Sequence, residues 1–232
     1  MLSISSIHQK ICDGKLPECR LSGIGLIALN AIEIWVLRTA GAAGIITLMV
    51  ALVGMWRAAQ QISGRETGLS KRMLRTRTYL LVGIPYFLAC IFLWKSLPFS
   101  FSFNWPTILI VLSGSLLYFS GLMLYLWAWF TLGRNYNVSS AFGVRLSADH
   151  RLITDGPYAW VRHPMYLGLQ MAAFGGVLLF QTWTLVFLFI NFLFLLIRAR
   201  REEQALTMEY PNHWQSYSVD VPFWFPERPR RR

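Results

Sequence analysis

Residues 105–130, from Trp105 to Phe130, contain no charged side chain. A helix needs about 20 apolar residues to cross the ~30 Å hydrocarbon core of a bilayer. Backbone that crosses there must satisfy its own hydrogen bonds, which a helix does and an open loop does not. This run therefore commits the chain to a membrane. Residues 79–94 read as a second span, with Pro85 inside it and Lys95 placed to snorkel at its end. Residues 41–56 read as a third, closed by Trp56 and Arg57. Residues 21–37 carry Asn30 and Glu33 and are read as a further span whose polar face packs on a neighbour. Residues 164–180 and 183–197 are each short for a full crossing and are separated only by Gln181-Thr182, the pattern of a helix-turn-helix pair. The expected fold is all-α: a polytopic integral membrane protein of about five transmembrane helices. Residues 1–130 form its N-terminal membrane helices and 131–232 its functional core.

Charge decides the orientation and removes one class of partner. The net charge is +11, yet only 14% of residues are charged and 55% are hydrophobic, against about 25% and roughly 45–50% in soluble domains. The bases are concentrated beside apolar runs: 57–78 holds Arg57, Arg65, Lys71, Arg72, Arg75 and Arg77 against Glu66 alone. That placement follows the positive-inside rule and points to membrane lipids rather than nucleic acid as the partner of the basic residues. With 57–78 cytoplasmic, 131–163 and the tail from Arg198 fall on the same side, and 98–104 on the other. The N-terminus joins the cytoplasmic side if 21–37 crosses, and the sequon Asn137-Val138-Ser139 then stays unglycosylated. Cys12, Cys19 and Cys90 form neither a disulfide framework nor a zinc spacing. His150, His163 and His213 are not at metal-ligand spacing, so no metal is expected. The chain has no GxSxG, P-loop or GxGxxG, which removes the sequence support for hydrolase, nucleotide triphosphatase and Rossmann readings.

The chemistry-bearing residues lie in two polar stretches, 131–163 and 198–226, on either side of the last helix pair. A hairpin returns its two ends to one membrane surface, so the stretches should meet there and form a concave site walled by helices. In the first, Arg162-His163-Pro164 leads into a helix; proline suits a first turn, and the free N–H groups of a helix start suit an anion. In the second, Asn191, Arg198 and Glu202 are spaced by seven and four residues and share one face of a continuous helix descending from the water boundary. Asn191 is on this reading a substrate-facing candidate.

HRLITDGPYAWVRHPMYLG (150–168), followed by RARREEQAL (198–206) and then Tyr210, Trp214, Tyr217 and Val221-Pro222, resembles the isoprenylcysteine carboxyl methyltransferase family. The related phosphatidylethanolamine N-methyltransferases share that core. The resemblance covers roughly residues 131–226. It implies an all-helical membrane enzyme that uses S-adenosyl-L-methionine and methylates a lipidic or prenylated small-molecule or peptide acceptor, with the catalytic segment on the cytoplasmic side. By the same resemblance His150, Arg151, Leu152, Ile153, Tyr158, His163, Pro164, Met165, Tyr166 and Glu202 would line the cofactor. Arg198 would face the substrate's reactive end, Arg162 would help orient it, and Gly168 would permit close helix approach. Two departures touch substrate identity more than the cofactor: Asp220 stands where the family often has a base before Val-Pro, and 131–163 lacks a cofactor-contacting Gln.

In-line methyl transfer from a sulfonium needs alignment more than acid–base help. A carboxylate acceptor cancels charge as it reacts; an amine would need a proton acceptor, for which Glu203 and His213 are the candidates. The expected function is thus a membrane methyltransferase of the isoprenylcysteine carboxyl type. Its rivals are a phospholipid N-methyltransferase, an NADPH-dependent sterol-type reductase and a catalytically silent membrane scaffold. The reductases carry a similar Pro-x-Tyr-x-Gly ending but usually read Pro-Asn-Tyr with an acid after the Gly, where Met165 and Leu169 stand here. Oligomeric state has no signature in the sequence.

Overall fold

The computed structural model describes residues 17–61, 76–98, 108–133 and 152–224. It is mostly helical, and among the described residues no strand forms beyond an isolated bridge between Ser96 and Thr182. In chain order the helices are α1 (Pro17–Gln61), α2 (Thr76–Phe92), α3 (Ile108–Leu132), α4 (Pro164–Phe180), α5 (Trp183–Leu193), α6 (Leu195–Glu209) and α7 (Pro211–Asp220). A 3-10 turn, Gly156–Ala159, precedes α4. Three stretches are long and apolar enough to cross a bilayer: Ala31–Gly54, Ile108–Leu132 and Trp183–Met208. Gly83–Phe92 and Pro164–Phe180 are shorter apolar helices.

The expected break between 21–37 and 41–56 does not occur. Both stretches belong to α1, a single helix of 45 residues. No proline interrupts it, and the one hydroxyl at the expected break is satisfied locally: Thr39 donates to the Trp35 carbonyl at 2.9 Å and the Val36 carbonyl at 3.0 Å. A polar residue whose hydrogen bond closes on its own helix gives the chain no reason to turn. Two expected spans thus become one helix. α1 runs parallel to α3: Ala40 meets Tyr118, and Gly54 lies against Trp129. Its N-terminal half therefore lies toward the end of the bundle opposite Leu132.

The bundle is organised around the α3–α4 pair, its most extensive helix–helix interface. Gly121 and Gly168 let two backbones touch. A Cβ on Gly168 would stand 2.7 Å from the Gly121 carbonyl oxygen, and one on Gly121 would stand 2.6 Å from the Gly168 carbonyl oxygen. Small residues allow this approach in lipid, where dispersion and packing replace the hydrophobic drive between helices. The other faces of these helices point outward: Leu109, Leu116 and Met123 of α3 are more than 70% exposed, as befits a surface whose solvent is lipid.

At the end opposite Leu132, backbone bonds join two turns. Leu97 N–H donates to the Gln181 carbonyl (2.8 Å), Trp183 N–H to the Lys95 carbonyl (3.0 Å) and Thr184 N–H to the Leu93 carbonyl (3.1 Å). Gln181 makes the α4–α5 turn in the left-handed region, φ 48°. Phe194, between α5 and α6, stays right-handed, so the chain continues in one direction from Trp183 to the polar end.

Candidate active site

The polar end of the bundle is built by three segments that meet there. In the first, Gly156 takes φ +60°, a conformation that L side chains rarely adopt, and turns the chain into the 3-10 turn. Pro157 and Pro164 are fully buried and anchor the segment at both ends. Pro164 occupies the first turn of α4, with His163 as its cap. The second segment is α6, carrying Arg198, Glu202 and Glu203. The third is α7 and the residues after it, which fold back on the first: Tyr217 Oη donates to the Tyr158 carbonyl at 2.7 Å, and Arg162 N–H donates to the Pro222 carbonyl at 3.0 Å. Trp214 and Leu206 form a small core there with Leu152, Tyr210 and Tyr217 packed on it.

Acidic side chains of α6 tie the first and second segments together. Glu203 Oε1 accepts from both Arg162 Nη1 at 3.0 Å and His163 Nε2 at 3.1 Å. Glu202 Oε2 accepts from Tyr166 Oη at 3.0 Å. The His163 and Tyr166 rings are stacked with centroids 5.6 Å apart. Arg162 lies over the rings of Trp214 and Phe223, at 5.9 and 5.6 Å, and Arg198 over Tyr166 at 5.9 Å. Burial pushes the Tyr217 phenol well above its ordinary value, with Glu203 adding to the rise and Arg162 opposing it. It is held as a neutral donor.

These groups open onto a cavity of about 840 Å³, toward the upper end of the ~300–1,000 Å³ usual for small-molecule sites. Arg162, His163, Tyr166, Arg198, Glu202 and Trp214 line its polar end. Gly41, Tyr118, Phe180, Leu185, Leu188 and Phe192 line its apolar depth. Arg162 Nε and Arg198 Nε are buried without a hydrogen-bond partner. No carboxylate among the described residues lies within ion-pair distance of Arg198, while Glu203 is already engaged by Arg162 and His163.

Of the residues singled out from sequence, Leu152, Ile153, Tyr158, Arg162, His163, Met165, Tyr166, Arg198 and Glu202 all line this cavity. Pro164 is buried behind it as the helix start. His150 and Arg151 lie outside the described residues. Asn191 is not among the cavity residues; its amide donates to the Phe187 carbonyl of its own helix at 2.7 Å. His213 is exposed. The bridging role of Glu203 was missed. Its signal was the Glu-Glu doublet: adjacent helical residues point about 100° apart, so two carboxylates can serve two different partners. The contribution of α1 to the cavity had no signal, because small and aliphatic residues such as Gly41, Ile45 and Leu48 carry no functional label.

Residues 107–208 match the profile of the Isoprenylcysteine carboxyl methyltransferase (ICMT) family. A protein-S-isoprenylcysteine O-methyltransferase of Saccharomyces cerevisiae is 33% identical over 129 residues, 53% of this chain and 53% of that one. One of Schizosaccharomyces pombe is 36% identical over 80 residues, 34% of each chain. The aligned stretches thus span about half of one relative and about a third of the other.

Proposed function

Because residues 107–208 match the isoprenylcysteine carboxyl methyltransferase family, we propose that this chain is a membrane methyltransferase that esterifies the carboxylate of a prenylated cysteine. The observation that carries the reading is Arg198: a cation without an ion-pair partner among the described residues, its Nε buried, at the mouth of an apolar cavity. A buried N–H left without a partner costs about 1–3 kcal/mol. A ligand that brings a carboxylate on an apolar tail satisfies the charge and fills the cavity together. An amine acceptor would also need a group to take its proton, and the carboxylate best placed for that, Glu203, is already shared by Arg162 and His163.

S-adenosyl-L-methionine fits the other groups of the polar end. Its donor set is an aromatic wall (Tyr158, Tyr166, Trp214), the carboxylate of Glu202, and a second buried guanidinium nitrogen on Arg162. Aromatic faces and a carboxylate suit a cationic centre, and Arg162 suits an amino-acid carboxylate. When bound, the cofactor supplies a methyl group activated on a sulfonium. Arg198 holds the acceptor carboxylate ionised and turned toward that end of the cavity, so the acceptor oxygen needs no general base. Glu203 fixes Arg162 and His163, and Tyr217 fixes the 3-10 turn that carries Tyr158. Residues 131–232 supply the polar groups on this reading, and residues 1–130 supply much of the apolar wall. The basic segments favour a cytoplasmic polar end, and a fold of five crossings, the fourth (α4) and the fifth (the α5–α6 line) pairing as a hairpin, fits this arrangement.

Purified protein in detergent should methylate N-acetyl-S-farnesylcysteine. Arg198→Gln should lower kcat/KM about 100-fold, the scale of losing a hydrogen bond to a charged group, while calorimetry shows S-adenosylhomocysteine still bound. An Arg198→Gln enzyme with unchanged kcat/KM would remove the carboxylate assignment.

A further inference from the structure

The depth of the cavity has an aromatic floor. Tyr118 donates its hydroxyl to the Ala40 carbonyl at 3.0 Å and meets the Phe180 ring edge-on at 5.9 Å. Phe180 in turn packs on Trp94 with centroids 6.3 Å apart. Directly behind these rings, the 93–97 and 181–184 turns are locked by the three backbone hydrogen bonds already described. Trp94 and Phe180 stand on the two turns that these bonds join, so the backbone under the floor is held from both sides.

The height of this floor below Arg198 follows from helix rise. Leu185 contacts the floor region beside Gly176, and from Leu185 to Arg198 the chain climbs about 20 Å at 1.5 Å per residue. The carboxyl carbon, Cα, Cβ and sulfur of a cysteine occupy roughly 5 Å of that, which leaves about 15 Å, the extended length of about three five-carbon isoprene units. Resting on the functional reading above, we propose that the Tyr118–Phe180–Trp94 floor gauges the acceptor's isoprenoid tail, with three units filling the cavity to its base. A two-unit tail leaves the floor uncovered. A fourth unit finds no further apolar depth and adds nothing.

Gly41 offers a way to raise the floor without disturbing the bundle. It lines the cavity, and a Cβ placed on it meets nothing within 4 Å, so a larger side chain there grows into empty space. Gly44 differs, because its Cβ would collide with the Tyr118 hydroxyl. Phe180→Ala works in the opposite direction by lowering the floor.

The test is a tail-length series of N-acetyl-S-prenylcysteines carrying two, three and four isoprene units. It is read both as kcat/KM and, without cofactor, as thermal stabilisation of the full chain in detergent. In the unsubstituted protein both readouts should rise from two units to three and level off at four. Gly41→Leu should depress the three- and four-unit acceptors at least tenfold more than the two-unit one. Phe180→Ala should move the plateau to four units. The gauge is overturned if the rise continues undiminished to four units, or if both substitutions scale all three tails by one factor. Should no tail be methylated while stabilisation keeps the length pattern, the methyltransferase reading falls and the gauge stands. Methylation that ignores tail length leaves the enzyme and removes the gauge. If Gly41→Leu fails to fold, Phe180→Ala decides alone.

Discussion

The two ends of the cavity are held together by different kinds of contact. At the polar end, segments far apart in sequence meet through individual side-chain atoms: Glu203 on Arg162 and His163, Glu202 on Tyr166, Tyr217 on the Tyr158 carbonyl. At the apolar end, shape is set by backbone: α3 touching α4 at Gly121 and Gly168, and two turns laced by N–H to carbonyl bonds. A side-chain contact can be removed one atom at a time with the fold intact. Backbone contact is lost only when whole helices move apart. Substitutions at the polar end should therefore change what the site does, and those at the α3–α4 seam should decide whether there is a site.

The sharpest way to break this contrast is Gly121→Leu. Its added atoms would land on the Gly168 and Ala172 backbone, and overpacking of this kind costs about 3 kcal/mol or more when no neighbour can yield. Size-exclusion chromatography in detergent should return little monodisperse protein; a folded, active Gly121→Leu chain would show that the seam tolerates separation.

Glu203→Ala comes next. It strands Arg162 and His163, whose side chains are only 16% and 6% exposed, and should destabilise by about 2–3 kcal/mol because their shared counter-charge is gone. Activity should fall more than thermal stability does, and Glu203→Gln, which keeps an acceptor oxygen, should recover part of both.

A smaller effect is expected from Tyr217→Phe, about 1 kcal/mol for one lost hydrogen bond. Its pH dependence has a definite sign. The folded phenol titrates above its ordinary value, so its contribution is complete below about pH 10 and declines as pH rises beyond that. The stability gap between wild type and Tyr217→Phe should narrow in alkaline melts and stay constant from neutral to mildly basic pH. The smallest change belongs to Asn191→Ala. Its amide serves only its own helix, so stability should shift by no more than about 0.5 kcal/mol. A large loss of kcat/KM there would return Asn191 to the substrate site.

Much of the site was legible in the chain before any coordinates. His163, Tyr166, Arg198 and Glu202 stand in polar stretches on both sides of one short helix pair, and a chain that turns at Gln181-Thr182 has to bring those stretches back together. Asn191 does not line the cavity although Leu188 and Phe192 on either side of it do: α5 ends at Leu193 and α6 begins at Leu195, so the phase of an unbroken helix is not kept from Asn191 to Arg198. α1 shows the opposite case, a helix without the expected break. Asn30, Glu33, Arg38 and Thr39 look like an interruption in a hydropathy profile, yet Thr39 closes its hydrogen bonds on the preceding turn and the helix runs on.

Hydrophobic run length, the clustering of bases and the order of polar motifs determined by themselves that this is a helical membrane protein whose polar side chains gather at one end. Those properties are local, because the cost of placing charge or open backbone in hydrocarbon is charged residue by residue. The direction of α1, the bridging of Arg162 and His163 by Glu203, and the aromatic floor were decided only by tertiary structure. Each depends on which helix lies beside which, and in lipid that choice is made by close packing of small residues, a property of paired surfaces rather than of any one segment.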